Sequence, residues 1–186
     1  MGTISTNQSV KYHKRYFPAR LGALRTGESY GEETGEPMAE LRLPEHLKAI
    51  PGTALTPGRI AISAAEATSF CELLGTPAVG DALHPIYVYV ATQRGLGMSV
   101  AEVCALADFD IADGPMLGNI DFQYSAPMLP DTEYRVEGTI IDIVRKEGRS
   151  AGVFDLLQFE ERLVADDGTV VASSRSSFVL PRKENR

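Results

Sequence analysis

EYRVEGTIIDIVRKEGRSAGVFDLLQFEERLVADDGTVVASSRSSFVL, from Glu133 to Leu180, is the stretch that decides the fold. It holds three β-rich runs separated by KEGRS and DDG, where Gly148 and Gly168 can supply the positive φ that hairpin turns need. A fourth extended run, NIDFQYSA, precedes it. The pattern predicts a meander of antiparallel strands.

The strand predicted from EYRVEGTIIDIVRK is partly apolar on both faces. Ile140 and Ile141 are neighbours, as are Ile143 and Val144, so apolar side chains point to both sides of the strand. Such a strand is covered on one face and meets a neighbour over part of the other. We therefore expect one face of the sheet to pack on a helix.

Two helices are predicted before the sheet. In ISAAEATSFCELLG, Ser63 and Glu66 have the spacing of a capping box, and Gly75 can end the helix in the left-handed region. Its apolar face is formed by Phe70, Leu73 and Leu74. Ser99 and Glu102 form a second capping box.

The second helix has the composition of one enclosed by a sheet. Its apolar positions follow helical spacing at Val100, Val103, Cys104 and Ala107. A curved antiparallel sheet around this helix, with a helical segment before it, is an α+β arrangement. The curved sheet leaves an exposed edge, and two-fold pairing of edges predicts at least a dimer.

The chain is expected to divide into an N-terminal arm, residues 1–58, and one domain, residues 59–186. The arm mixes charge, Gly and Pro with little periodicity, apart from a possible short turn around PEHLKAI. Cys71 and Cys104 lie among apolar residues and are interpreted as small core side chains in a reducing compartment.

Charge and hydropathy exclude several classes of protein. The net charge of -7 argues against nucleic-acid binding, which needs a surplus of Lys and Arg on one face. No apolar run reaches the length of a membrane helix, and the first residues lack the apolar stretch of a secretory signal. The sequence predicts a cytoplasmic protein without membrane or nucleic-acid partners.

The order of the capping-box helix, GD…HPIY, GMSVAEVCALA, NIDFQYSAPMLPDTEYRVEG and DDGTVVASS resembles the MaoC-like dehydratase and (R)-specific enoyl-CoA hydratase family. The resemblance runs from Arg59 to Pro181. It implies a hot-dog fold, in which a curved antiparallel sheet wraps around a central helix. Members of the family hydrate or dehydrate an acyl thioester with the acid and the histidine of a G-D-x-N-P-[aliphatic]-H motif.

Carried onto this chain, the motif places Asp81 as the acid and Pro85 as the proline, with one extra residue between them. His84 stands where the family has Asn, and Tyr87 where it has the histidine. The resemblance implies Asp81 and His84 as base and acid, with the Tyr87 phenol as a donor. Leu96 replaces the histidine of the family's H-G-M turn, and Gly97 and Met98 match its other two residues.

That turn opens the central helix in the family, so the resemblance also implies a substrate-binding site there. Backbone N–H groups near Gly97, Met98 and Ser99 would stabilise the enolate that forms on the thioester, because a helix N-terminus carries unpaired donors. CoA or a carrier protein enters only as part of the thioester substrate, and no other cofactor is expected.

Structural roles explain the same residues without catalysis. Asp81 can cap the following helical turn, His84 can be a hydrogen-bonded structural residue, and the tyrosines of IYVYV can be core side chains with tethered hydroxyls. His13 and His46 lack metal-ligand spacing, and DFDIAD lacks the Gly and Glu of a calcium loop, so no metal site is expected.

Three functions follow from the resemblance. The first is a hydratase or dehydratase of acyl-CoA or acyl-carrier thioesters. The second is a non-catalytic MaoC-like subunit that binds acyl chains or pairs with a catalytic hot-dog chain, which the departures from the motif favour. The third is a hot-dog thioesterase, because one fold hosts several chemistries. The chain is expected to form a homodimer, or a heterodimer with a related hot-dog chain.

Overall fold

The computed structural model describes residues 41–76, 81–148 and 152–182. The chain divides into two compact units, Met1–Leu41 and Arg42–Arg186, and all elements below belong to the second. Most of the predicted arm lies outside the described residues. Residues 42–58 of the predicted arm are described, and they belong to the same unit as the sheet. The boundary predicted after Gly58 falls inside a strand.

Within its described residues this unit contains four helices and five strands. The helices are α1 (Glu45–Lys48), α2 (Ala64–Leu74), α3 (Tyr87–Gly95) and α4 (Val100–Ala105), and a 3-10 turn follows at Ile111–Asp113. The strands are β1 (Ala54–Ala61), β2 (Met116–Tyr124), β3 (Glu133–Gly148), β4 (Gly152–Val164) and β5 (Val170–Pro181). All five form one antiparallel sheet in the order β1-β3-β4-β5-β2.

Two helices pack against the sheet: α4, as the sequence predicted, and α3, which the sequence analysis did not identify as a helix. α3 contacts β1, β3, β4 and β5, whereas α4 is a single short segment of six residues. The stretch YVYVA forms the buried side of α3, with Tyr87, Val88 and Ala91 at most 2% exposed. Alternating apolar residues in so short a run fit a strand as well as a helix, so periodicity alone could not identify it.

The core consists of two apolar clusters on the helix-covered side of the sheet. One gathers α4 with Leu47, Phe159 and Phe178, and the other gathers α3 with Val136 and Leu163. Leu96, between α3 and α4, packs against both clusters. The junction between the clusters therefore lies beside the connection that the resemblance selected as the substrate-binding turn.

The predicted helix ends are largely confirmed. The capping box of Ser99 and Glu102 is complete in α4, and Gly75 ends α2 with a φ of 62°. In α2 only half of the box forms: Ser63 accepts from the Glu66 N–H, while the Glu66 carboxylate pairs with Arg94 at 2.7 Å. Leu73 is 87% exposed, so the C-terminal end of α2 leaves apolar surface in solvent.

The double-faced pattern of β3 is explained by a β-bulge. The register between β3 and β4 shifts between Ile140 and Asp142, which brings Ile140 and Ile143 to the same buried face despite their odd spacing. Ile141 is turned outward. Gly168 has the predicted positive φ, but at the other hairpin Gly148 ends β3 and Gly152 is the residue with positive φ.

Candidate functional site

Asp81 and His84 lie immediately before α3. Asp81 is exposed, in a turn. His84 is half-buried against the Phe70 ring, and its Nδ1 accepts a hydrogen bond from the Ile86 N–H at 3.3 Å. Because Nδ1 accepts, the proton of the neutral imidazole sits on Nε2. His84 thus satisfies one of the first donors of α3.

Tyr87 is a core residue of α3. Its ring is 2% exposed and packs against Phe70, and its hydroxyl donates to the Glu66 carbonyl oxygen at 3.2 Å. Burial, together with the nearby Glu66 carboxylate, raises the pKa of the phenol above its usual value. A phenol with a raised pKa and an occupied proton is a poor acid for a substrate, so the geometry assigns Tyr87 a packing role.

Gly97 permits a close approach, but to another part of the chain. Its N–H donates to the Thr56 carbonyl at 3.0 Å, and a Cβ at this position would overlap the Pro57 carbonyl oxygen. The Thr56 N–H in turn points to the Met98 sulfur at 3.4 Å. The α3–α4 connection therefore covers the outer edge of β1.

The N–H of Ser99 is also occupied. It donates to Glu102 Oε2 at 2.7 Å, and Ser99 Oγ accepts from the Glu102 N–H at 3.3 Å. Of the three residues predicted to bind substrate, Met98 lines the cleft described below. The N–H groups of Gly97 and Ser99, which were predicted to bind an oxyanion, already donate hydrogen bonds within the chain.

The structure does not bring the two predicted halves of the site together within one chain. His84 precedes the first turn of α3, and Gly97 follows its last turn. Nine helical residues span about 13 Å along the axis. That separation is several times the contact distance that proton transfer to a thioester at Gly97 would require.

The N-terminus of α3 offers no alternative set of donors. The Tyr87 N–H donates to the His84 carbonyl at 2.9 Å, and the Val88 N–H to the Pro85 carbonyl at 3.2 Å. With Ile86 bonded to the His84 ring, the first N–H groups of α3 are satisfied locally. Oxyanion stabilisation needs donors that are unpaired before the reaction.

Three basic residues, Arg94, Arg182 and Lys183, could hold the CoA or carrier part of a thioester, and the two that the structure describes are engaged elsewhere. Arg94 pairs with Glu66, while Arg182 binds Asp155 and donates to the carbonyls of Ala107 and Asp108. Arg182 thereby ties the end of β5 to the chain after α4. Lys183, the remaining candidate, lies outside the described residues.

The sequence analysis missed a cleft between α4, the α3–α4 connection and the sheet. It is narrow and partly open to solvent, with room for about one water molecule. Most of the side chains that line it are apolar: Leu96, Met98, Val103, Phe159 and Phe178. Two polar side chains line it, Glu161 of β4 and Gln93 of α3.

Glu161 is the unusual residue of this cleft. It is 1% exposed, and its Oε2 accepts from Ser174 Oγ at 2.9 Å and from Gln93 Nε2 at 3.3 Å. Burial raises the pKa of this carboxyl above its usual value, while hydrogen bonds from Ser174 and Thr92 act in the opposite direction.

A signal for Glu161 exists in the sequence. Along β4 the buried face carries Leu157, Phe159, Glu161 and Leu163 at every second position, so an acid interrupts an otherwise apolar row. A charged residue at a core position of a strand is rarely fully buried without a partner.

Two kinds of feature are absent from the described residues: a helix that could span a membrane and a cluster of metal-binding side chains. None of the helices there combines the length and apolar character needed to span a bilayer. Within the same residues, no cluster of three or more His, Cys, Asp or Glu side chains is arranged to hold a metal ion. Cys71 and Cys104 are both buried and free, as the sequence predicted.

Comparison with known proteins gives structural relatives only. No family model matches the sequence, and no curated protein is significantly similar to it. The MaoC-like dehydratase from Rhodospirillum rubrum matches with a TM-score of 0.51 at 18% identity, over 73% of this chain and 94% of that chain. The ChsH1-ChsH2 complex from Mycobacterium tuberculosis matches with a TM-score of 0.57 at 18% identity, over 76% and 90%.

A third match is the C-terminally truncated HadBC complex from Mycobacterium tuberculosis, a (3R)-hydroxyacyl-ACP dehydratase. Its TM-score is 0.55 at 12% identity, over 72% of this chain and 98% of that chain. Identities this low establish the fold and no more. With the five-stranded antiparallel sheet wrapped around α3, they show that this chain has the hot-dog fold of the MaoC-like dehydratases.

Proposed function

We propose that this chain is a non-catalytic hot-dog subunit that binds acyl thioesters and pairs with a related hot-dog chain, which carries the residues for hydration or dehydration. The observation that carries this proposal is the state of the helix N-termini. The donors at the start of α3, and those of Gly97 and Ser99 before α4, are bonded within the chain.

The argument rests on the chemistry of hydration. Adding water across a thioester double bond passes through an enolate, whose oxygen needs preorganised donors. To offer Gly97 or Ser99, the protein would first have to break a bond to Thr56 or to Glu102, each worth about 1 kcal/mol. Such rearrangement opposes the preorganisation on which this catalysis depends.

The edge strand β2 supports pairing with a second hot-dog chain. β1 and β2 are the two edges of the sheet. The α3–α4 connection covers β1, which also contains Pro57, whereas β2 faces no further strand among the described residues. Met116 and Leu117 are about half exposed on β2. An open edge with exposed apolar side chains is a pairing surface.

The relatives support a partner of the same fold. ChsH1-ChsH2 and HadBC are each complexes of two chains, and HadBC is a dehydratase of a hydroxyacyl carrier substrate. The acyl thioester is the substrate class that the resemblance in the sequence implies.

A hydratase that works alone is the second candidate. One observation favours it: Asp81 is exposed, and His84 Nε2 has no hydrogen-bond partner within the described part of the chain. A substrate approaching that end of α3 could meet both groups. This candidate requires donors from elsewhere, for example from a second copy of the chain.

Reconstitution tests the proposal. This chain is expressed together with a hot-dog chain from the same organism that carries an intact G-D-x-N-P-[aliphatic]-H motif, and the purified complex is assayed with crotonyl-CoA. We expect a stable one-to-one complex whose hydratase activity disappears when the partner's motif is mutated. A thiol reagent follows release of free CoA in the same samples.

The controls separate the alternatives. Asp81→Asn and His84→Ala in this chain should leave the activity of the complex unchanged. A homodimer that exchanges with no such chain and hydrates crotonyl-CoA by itself would overturn the proposal. Release of CoA thiol by the chain alone would instead indicate a thioesterase.

A further inference from the structure

The ligand of the proposed function needs more room than the cleft beside α4 offers. This cleft holds about one water molecule. Among its lining residues, Val103, Phe159 and Phe178 also belong to the core cluster that contains Leu47. The side chains of that cluster are buried and closely packed, so a hydrocarbon chain that enters from the cleft has to displace one of them.

The helix α1 contributes to this cluster and is weakly tied to the rest of the fold. It is a single turn of four residues, and its buried residue is Leu47, which is 1% exposed. No side chain caps its N-terminus at Pro44. Leu43 and Ile50, on either side, are partly buried against the same cluster. A helix this short has no stability of its own, so the packing of Leu47 holds it in place.

The ion pairs of α1 lie at the surface. His46 contacts the carboxylate of Asp108, and the two side chains are 63% and 61% exposed. Lys48 pairs with Glu45 inside α1 itself, at 2.8 Å. Exposed pairs of this kind contribute little to stability. They therefore do not replace the buried leucine as the anchor of the segment.

The contact of His46 also locates α1 in the fold. Asp108 follows α4, so α1 lies near the C-terminal end of that helix, whereas the cleft lies near its N-terminal end. Six helical residues span about 9 Å. Cys104 and Ala107 are fully buried between the two places, in the same cluster as Leu47. Leu47 thus lies at the far end of a row of apolar side chains that begins at the cleft.

The chain joins the sheet directly after α1, at Gly52. The Gly52 N–H donates to the Ile140 carbonyl at 2.8 Å, and the Thr53 carbonyl accepts from the Ile140 N–H at 2.9 Å. Gly52 has a φ of 87°, in the left-handed region that favours glycine. Hinges are commonly a few loop residues at the end of an element. A turn here lets α1 leave the core without breaking the ladder between β1 and β3.

We propose that α1 is a displaceable plug. Leu47 fills apolar space beside α4 that the hydrocarbon chain of a bound ligand takes, and α1 swings out next to Gly52 when that chain enters. The nature of the ligand, an acyl thioester, rests on the proposed function. The opening of α1 rests on a single helical turn anchored by one buried leucine.

Alkylation of Cys104 measures the opening. Cys71→Ala leaves Cys104 as the only thiol of the chain, and its complete burial protects it from iodoacetamide until α1 opens. The labelling rate should depend weakly on urea, because the opening of a short segment exposes little surface. Leu47→Ala should raise the rate at least about tenfold, since a buried leucine is worth more than this factor.

Paired variants separate the opening of α1 from unfolding of the whole domain. Leu163→Ala removes an equally buried leucine from the other core cluster, so it should lower global stability and leave the labelling rate unchanged. His46→Ala removes the exposed contact without changing the core, and it should raise the rate about two- to fivefold. Lys48→Ala, on the same turn, should not raise it.

Binding of two thioesters tests what displaces the plug. Isothermal titration compares octanoyl-CoA with acetyl-CoA, and the protein is used as purified, together with its partner chain if the two form a complex. Leu47→Ala should bind octanoyl-CoA about tenfold more tightly than the wild type does, because the chain no longer has to expel a leucine. It should bind acetyl-CoA as the wild type does. Leu163→Ala should match the wild type with both ligands.

The outcomes distinguish the two proposals. If octanoyl-CoA binds the wild type and Leu47→Ala equally, the plug is overturned while acyl binding stands. The same holds if Leu163→Ala speeds labelling of Cys104 as much as Leu47→Ala does, because Cys104 is then exposed by global unfolding. If octanoyl-CoA binds neither the wild type nor Leu47→Ala, with or without a partner chain, the proposed function fails and the plug fails with it.

Discussion

At the scale of single residues, side chains that look catalytic are accounted for by their structural partners. His84 accepts from the Ile86 N–H, and Tyr87 donates to the Glu66 carbonyl. The sequence predicted these two residues as members of a site because their types and order resemble a motif. It could not show where their protons are used, since their partners depend on how α2 packs beside α3.

Gly97 was predicted to allow a close approach to its backbone. The structure has such an approach, and it is made by another part of the chain. A glycine was expected where a backbone must come close to another group. The group is the Pro57 carbonyl of β1 and not a substrate. Contacts between segments forty residues apart are not readable from a local pattern.

Glu161 gives a prediction about pH. Its pKa is raised by burial, so the folded state holds a proton that the unfolded state loses as the pH rises above about 4.5, the ordinary value for this carboxyl. Stability from this group is complete at lower pH and is lost as the pH rises through the folded pKa. Relative to Glu161→Gln, the wild type should therefore become progressively less stable over that range.

Urea unfolding of both proteins at a series of pH values measures this difference. Glu160→Gln is the control, because its side chain lies on the other face of β4 beside Arg175 and Arg162. The control should follow the wild type. Parallel stability curves for the wild type and Glu161→Gln would show that Glu161 does not hold a proton in the folded state.

At the scale of elements, the sequence could predict the helix ends, because their signals lie within a single turn. Ser99 with Glu102 and Gly75 at the end of α2 act within a few residues, and the structure confirms them. The packing of α4 on the sheet was predicted, whereas α3 was not identified as a helix. That α3 contacts four strands depends on the tertiary structure and cannot be inferred from a short run of apolar residues.

Asp155 joins three elements, so its substitution should strongly destabilise the fold. It binds Arg145 of β3 and Arg182 at the end of β5, and Arg182 also holds the carbonyls after α4. Asp155→Ala leaves two half-buried guanidinium groups without a counter-ion, which should cost about 3 to 5 kcal/mol of unfolding free energy. Denaturant unfolding measures the loss.

Glu147→Ala is the comparison, because Glu147 is an exposed acid on the neighbouring strand and should change stability by less than about 0.5 kcal/mol. Equal, small losses in both variants would mean that the ion pairs of Asp155 contribute little to the fold.

At the scale of the whole molecule, the α3–α4 connection contacts one edge strand of the sheet, β1, whereas the other, β2, faces no further strand among the described residues. Leu117 lies on the open strand β2. A lysine at this position introduces a charge that must be desolvated on pairing, so Leu117→Lys should shift the assembly toward monomer at micromolar concentration. Leu73→Lys, on the exposed end of α2, should not.

Sedimentation velocity of the two variants and the wild type measures this shift. If Leu117→Lys assembles as the wild type does, pairing does not use β2. If Leu73→Lys dissociates instead, the apolar end of α2 is the contact surface.

The hot-dog fold could be predicted from the strand meander, the two capping boxes and the resemblance. The chemistry could not, because it depends on whether donors are left unpaired, and that is decided by contacts between distant segments. The central claim is that the donors at the start of α3, together with those of Gly97 and Ser99, bond within the chain, and that a partner carries out the chemistry.

Crotonyl-CoA hydration by the purified chain alone tests this claim most directly. The account predicts a rate indistinguishable from that of buffer, and the same rate for Asp81→Asn and His84→Ala. Hydration by the wild-type chain that Asp81→Asn or His84→Ala abolishes would contradict it.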